Sequence, residues 1–163
     1  MLEADGSTWA GFSRPGRARE FHRWAARVGP PFDMHAVDNE HVYSEVFGRD
    51  RVLVITRKRS RSRVRGALLA AYTEAACPPL AEHRGWTVLI DSREAPPDNG
   101  PELEAELASI RARLHAQFGR MVVVVKSAAG RLQAKRLNER EIVCGDLGEA
   151  MLIARSALGP PPA

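Results

Sequence analysis

Short apolar runs alternate with longer amphipathic stretches along most of this chain, and that alternation limits its possible folds more than any other feature. The clearest run is Met121–Val125, five apolar residues in succession. Continuous runs of this kind are typical of strands that are buried on both faces. One helical stripe has spacings of 4, 3, 4 and 4 residues and consists of Leu103, Leu107, Ile110, Leu114 and Phe118. Strands and helices in alternation predict an α/β domain with a mostly parallel sheet.

The whole pattern predicts the order ββαβαβαβα between residues 34 and 158, with about five strands and an antiparallel pair at the start. The predicted strands are 42–47, 52–55, 86–91, 121–125 and 141–144. The predicted helices are 64–77, 101–118, 128–137 and 147–158. Alternation over 41–47 indicates an edge strand, whereas the continuous run at 52–55 indicates a central one.

The two ends of the chain carry weaker patterns. Residues 1–33 contain one short amphipathic stretch, Phe21–Val28, followed by the breaker Gly29-Pro30-Pro31. This extension is interpreted as a helix packed on the domain, as a loose arm, or as sequence upstream of a natural start at Met34. Residues 159–163 form a Pro-rich tail.

Composition excludes several classes of protein. Apolar residues make up 44% and charged residues 27%, as in ordinary globular domains. No apolar run approaches the ~20 residues that cross a bilayer, and acidic residues stand where a secretory signal needs positive charge, so a cytoplasmic protein is predicted. Cys77 and Cys144 lack metal-ligand spacing and are predicted to be reduced thiols. Because dinucleotide and P-loop fingerprints are absent too, no cofactor and no metal are predicted.

Catalytic signatures are incomplete. Ser92 and Ser127 lack the surroundings of a nucleophile elbow, and the five histidines are scattered without zinc-site spacing. Asp91 and Glu94 are the one carboxylate pair considered for acid/base work. No catalytic residue is assigned, and the sequence predicts a protein that is not an enzyme.

A cluster of positive charge lies between Arg49 and Arg65, where eight of the 24 basic residues fall with only Asp50 opposing them. Such a stripe attracts nucleic acid or an acidic partner. The stretch lacks interleaved aromatic residues and recognisable nucleic-acid-binding motifs. Nucleic-acid association is therefore kept only as a further alternative.

A second basic group follows the predicted strand ends. Ligands of open parallel sheets gather at the carboxyl ends of the strands, where this sequence has Arg57, Lys126, Ser127 and Arg131. Together with a helix N-terminus, these side chains suit a phosphate or carboxylate. The other interpretation is structural: Asp91 and Glu94 pair internally with Arg57 or Arg93, and Ser127 only caps a helix.

Three segments carry a resemblance to a known family: Ile55–Arg57, Val88–Pro96 and Val124–Gln133. With the element order, they make residues 34–158 similar to the STAS superfamily, and specifically to SpoIIAA-like (anti-sigma-factor-antagonist-like) proteins of GC-rich bacteria. The resemblance implies a regulatory or scaffolding domain that binds a partner protein. In the antagonist branch, a serine at the start of the helix after the central strand is phosphorylated, which switches partner binding.

This sequence departs from the phosphorylated pattern. The corresponding helix start, Asp98–Glu102, has no serine or threonine, and Ser92 lies directly after the strand instead. The predicted partner surface, at the loop 92–101 and the following helix, consists of Ser92, Arg93, Asn99, Glu102 and Glu106. The alternative function is binding of a small anion or lipid headgroup through Arg57, Lys126, Ser127 and Arg131, and homodimerisation through an edge strand is left open.

Overall fold

A six-stranded mixed sheet forms the centre of the protein. The structure, a computed structural model, describes residues 37–60, 64–76, 85–96, 100–137 and 140–156. The strands are β1 (Val37–Asp38), β2 (Val42–Phe47), β3 (Val52–Arg57), β4 (Thr87–Asp91), β5 (Arg120–Val124) and β6 (Ile142–Cys144). The helices are α1 (Ala67–Ala75), α2 (Pro101–Gln117), α3 (Ala128–Leu137) and α4 (Leu147–Arg155). The predicted extension 1–33 and tail 159–163 lie outside the described residues.

Strand order in the sheet equals strand order in the sequence. The β1–β2 and β2–β3 pairs are antiparallel, and the pairs from β3 to β6 are parallel. The predicted α/β class, with an antiparallel start and a mostly parallel remainder, is therefore confirmed. None of the described helices is long and apolar enough to span a membrane.

The number of strands and the position of β2 differ from the prediction. A sixth strand, β1, pairs with β2, so β2 is not an edge strand and all six of its residues are buried. The turn between them is held by Asn39, whose side-chain oxygen accepts hydrogen bonds from the backbone N–H groups of His41 and Val42. Two residues are too few to show the period of two that marks a strand, so β1 has no readable signal.

The helices cover both faces of the sheet. On one face, α1 and α2 pack on Leu53, Ile55 and Ile90 among others, and α3 lies beside α2, with Ala134 buried. On the other face, α4 packs on Leu89 and Val122. Because side chains alternate along a strand, Arg57 at the end of β3 points to the same face as Ile55. The sheet therefore directs Arg57 toward α1, α2 and α3.

Helix starts follow the sequence signals. Asp146 caps α4, accepting a hydrogen bond from the backbone N–H of Glu149 at 2.9 Å. Pro101 stands in the first turn of α2 together with Glu102 and Glu104, where acidic groups favour the positive end of the helix dipole.

Candidate anion-binding cleft

A cleft of about 450 Å³ opens at the carboxyl ends of β3, β4 and β5, between α2 and α3. It lies on the face of the sheet that carries α1 and α2. Four cationic side chains line it: Arg57, Arg93, Arg111 and Lys126. What the cleft can bind depends on which of these charges are already neutralised within the protein.

Arg93 is neutralised by its neighbour on the chain. Its Nε and Nη2 atoms each lie 3.0 Å from an oxygen of the buried Asp91 carboxylate. Glu94 pairs with Arg59 at 2.8 Å. Asp91 thus pairs with Arg93, as the structural interpretation predicts, whereas Glu94 pairs with Arg59 and with neither of the predicted partners, Arg57 and Arg93.

Arg111 is neutralised by Glu141, which enters from the start of β6. The guanidinium Nη1 lies 2.5 Å from Glu141 Oε2 and also donates to the carbonyl of Ala134 at 3.3 Å. The Glu141 side chain is fully buried, and this burial raises its pKa to about 7 although Arg111 opposes the rise. His115 Nε2 lies 4.0 Å from the other carboxylate oxygen. Burial, then the charges of Arg111 and Arg140, lower the pKa of His115.

Arg57 has no such partner. Only 7% of the residue is exposed, and across the described parts of the chain its guanidinium makes no hydrogen bond or ion pair. The hydroxyl of the buried Tyr72 lies near it: burial raises the pKa of Tyr72, and the charges of Arg57 and Arg111 counteract that rise. None of its nitrogen atoms is among the fully buried polar atoms without a partner in the described residues, so the guanidinium remains accessible from the cleft. Arg57 is therefore a mostly buried cation whose charged end is open to a ligand in the cleft.

The α3 N-terminus and Lys126 stand at the opposite wall. Ser127 caps the helix, its hydroxyl accepting a hydrogen bond from the backbone N–H of Gly130 at 3.0 Å. A Cβ on Gly130 would lie 3.1 Å from that hydroxyl, so the close approach of the helix to Ser127 favours glycine. Lys126 is exposed and, among the described residues, makes no ion pair. Two uncompensated cations, Arg57 and Lys126, thus share the cleft.

Arg131 does not belong to this site, which corrects the sequence prediction. It does not line the cleft, and its Nη1 lies 3.1 Å from where a Cβ of Gly145 would stand. The residues of α3 that line the cleft are Ala129, Gly130, Gln133 and Ala134. Arg131 lies outside this set because its position in the helical repeat directs it toward the β6–α4 loop.

The predicted partner surface is not one surface. Ser92 and Arg93 line the cleft, whereas Glu102 is exposed beside a separate groove at the start of α2. Asn99 lies outside the described residues. Glu106 lines the same groove as Glu102 but is half-buried, and its carboxylate accepts a hydrogen bond from the backbone N–H of Leu69 at 2.8 Å.

Glu106 acts as the N-terminal cap of α1. Gly66, at the usual capping position, has φ +80° and no side chain to offer. We expect Glu106→Ala to lower the free energy of unfolding by about 1 kcal/mol, the usual value of a helix cap. Urea unfolding measures the loss, and Glu106→Gln, which retains an oxygen acceptor, should lose less than half as much. Equal losses in the two variants would contradict a capping role.

The basic stripe between Arg49 and Arg65 is divided among different surroundings. Arg57 is buried at the cleft, Lys58 pairs with Asp38, and Arg59 pairs with Glu94. Arg61 and Arg63 lie outside the described residues. Arg49, Arg51 and Arg65 are exposed, and the nucleic-acid alternative stays a prediction.

Sequence reasoning missed two residues of the cleft, Tyr72 and Arg111. Arg111 is four residues after Leu107 and one after Ile110, on the buried side of α2, and it is only 8% exposed. An arginine on an apolar helical face was the available signal. Tyr72 falls on the apolar side of α1, so its burial was predicted, but its position beside Arg57 follows only from the packing of α1 on β3.

Comparisons with known proteins give no family for this chain. No protein-family model matches it, and no curated protein matches it. Within the described ranges, no group of three or more histidine, cysteine, aspartate or glutamate residues is placed to hold a metal ion. Cys144 is a buried free thiol.

Proposed function

We propose that this protein binds a small anion in the cleft between α2 and α3, with Arg57 as the principal ligand-binding residue. The observation that carries the proposal is the guanidinium of Arg57, which opens into the cleft from a residue that is only 7% exposed and lacks a counter-ion among the described residues. A guanidinium binds carboxylate or phosphate through two parallel hydrogen bonds. A bound anion would supply the charge that the fold leaves out.

The surroundings of Arg57 support an anion further. Lys126 adds a second positive charge, and the start of α3 adds the positive end of a helix dipole. No carboxylate belongs to the described lining of the cleft. The nearby carboxylates of Asp91 and Glu141 are paired with Arg93 and Arg111 and neutralise those two arginines. The uncompensated charge of the cleft is therefore positive.

Binding without catalysis fits the same lining. Its described residues include the hydroxyls of Ser92 and Ser127 but no histidine, aspartate or glutamate that could activate a hydroxyl as general base. We accordingly propose a binding protein that is not an enzyme. The STAS, SpoIIAA-like resemblance is compatible with this role and stays a prediction.

Binding of a partner protein also stays a prediction. The exposed Glu102 beside a groove that includes Leu69 and Leu103 is the part of the predicted surface that remains available for it. Ser92 and Arg93, at the cleft, would contact a partner only if that partner presented an acidic group there.

The proposal predicts that Arg57→Met abolishes anion binding and makes the protein more stable. Methionine has a similar volume and no charge. We expect the free energy of unfolding to rise by about 1–2 kcal/mol, because replacing a functional residue that destabilises the fold commonly stabilises a protein by this amount. Titration calorimetry with inorganic phosphate and with acetate measures binding. For wild type, an anion at one hundred times its Kd should stabilise the fold by about 2.7 kcal/mol.

Arg131→Met is the matched control, because it removes the same charge from α3 outside the cleft. It should leave anion binding within about twofold of wild type, the effect of a screened distant charge. If both variants lost anion binding equally, the loss would reflect the change in net charge alone and would contradict the proposed site. Wild-type affinity retained by Arg57→Met would also refute it.

A further inference from the structure

The cleft has an apolar wall as well as a charged one. Leu107 and Ile110 of α2, Ile90 at the end of β4 and Val125 after β5 all line it, and each is at least nine-tenths buried. Pro96 and Ala129 extend the same wall. Charge is therefore confined to the part near Arg57 and Lys126, and much of the remaining lining offers no hydrogen bond.

A bare inorganic anion satisfies only one part of such a cleft. Phosphate held by Arg57 would leave the rest of the cleft, including the accessible apolar surface of Pro96 and Ala129, in contact with water. A volume of about 450 Å³ lies within the range of clefts that enclose small organic molecules. Apolar surface that is already gathered in a concave site favours a ligand that can cover it.

We infer that the ligand is an organic anion with one charged group and an apolar body, its charged group on Arg57 and its body against the accessible part of the apolar wall at Pro96 and Ala129. The inference rests on the proposed anion-binding function and specifies the ligand class. A fatty carboxylate and an alkyl or aryl phosphate share this chemistry. The apolar wall favours ligands with an apolar body, and the guanidinium can donate hydrogen bonds to a carboxylate or to a phosphate.

The test is a homologous series titrated into the full chain by calorimetry: acetate, butanoate, hexanoate and octanoate. Each methylene that enters the apolar part should improve Kd by about fourfold, until the cleft is filled and the gain stops. Octanol reports the need for charge and should bind at least a hundredfold more weakly than octanoate. Octyl phosphate at the same chain length shows which charged group is preferred, and tighter binding by either one supports the inference.

A variant of the wall separates the two ends of the ligand. Ala129 is exposed at the cleft and on a helix that accepts leucine. We expect Ala129→Leu to occupy part of the apolar space, weakening octanoate at least tenfold while acetate changes less than twofold. Arg57→Met should remove binding of every acid in the series.

The outcomes distinguish this inference from the proposal on which it rests. If acetate and inorganic phosphate bind as tightly as octanoate, the apolar body is irrelevant and the inference fails, while anion binding stands. If octanol binds as well as octanoate, charge is irrelevant and anion binding fails as well. If no member of the series and no phosphate binds, both are refuted.

Discussion

Arg111→Met should lower the free energy of unfolding by about 3–5 kcal/mol at alkaline pH, where Glu141 is ionised, the usual cost of removing one partner of a buried ion pair. The loss arises because Glu141, whose side chain is fully buried, would keep its carboxylate without the guanidinium now 2.5 Å away. Domains of this size have a total stability of roughly 5–15 kcal/mol, so the variant should be only marginally folded. Urea unfolding followed by circular dichroism measures the loss.

Acid should reduce that loss. The folded-state pKa of Glu141 is raised to about 7 from an ordinary 4.5, and without Arg111 it should rise further. Near pH 5 the carboxyl is therefore protonated in both proteins, and no charge is stranded in the variant. We expect the destabilisation at about pH 5 to be less than half of that at about pH 8.

The double variant Arg111→Met/Glu141→Leu supplies the control. Replacing both members of a buried pair by apolar side chains is often neutral or stabilising, so the double variant should recover most of the stability that Arg111→Met loses. A double variant as unstable as the single one would show that Arg111 stabilises the fold by its contacts with α3 and not by compensating Glu141.

Glu45→Gln should stabilise the protein by up to about 3 kcal/mol above pH 7, given 1.36 kcal/mol for each pKa unit. Glu45 is 2% exposed on β2, and burial raises its pKa to about 7 from 4.5, although the hydrogen bond donated by Tyr43 opposes the rise. The folded state thus binds this proton more tightly than the unfolded state. Stability contributed by the neutral acid is complete below about pH 4.5 and is lost as pH rises to about 7.

Glutamine keeps an oxygen that can accept the hydrogen bond from Tyr43 but never ionises. The stability of Glu45→Gln should therefore fall less steeply than wild type between about pH 4.5 and 7, and the two should differ least at the acid end. Thermal unfolding across this pH range gives the comparison. Glu102→Gln, at an exposed position of α2, should leave the slope unchanged, and parallel curves for Glu45→Gln and wild type would refute the assignment.

Most of the fold could be predicted because most of its strands and helices have a recognisable local sequence pattern. Apolar runs such as that of β5 and the stripe of α2 are visible in the sequence, and chirality rules fix how they connect. β1 could not be predicted, since it is defined by pairing with β2 and not by its own two residues. The burial of all of β2 was missed for the same reason.

The site was predicted only in part, because strand ends identify candidates but not their pairings. Arg57 and Lys126 follow from the end positions of β3 and β5. Pairing of Arg111 with Glu141 joins residues 30 apart in sequence, so no local pattern reveals it. Arg131 was misplaced because its side chain depends on the rotational phase of α3, which packing on β6 and α2 sets.

The unbroken strand order also has a consequence for synthesis. Every strand pairs with its immediate predecessor, so the sheet can lengthen one strand at a time as the chain leaves the ribosome, N-terminal part first. The parallel pairs join residues 20 to 35 positions apart, so each addition closes only the one crossover between the two strands. The cleft, however, gains its second wall only with α3, so a nascent chain that ends at β5 already carries Arg57 but has no enclosed site. The proposed anion site can therefore form only after α3 has been synthesised.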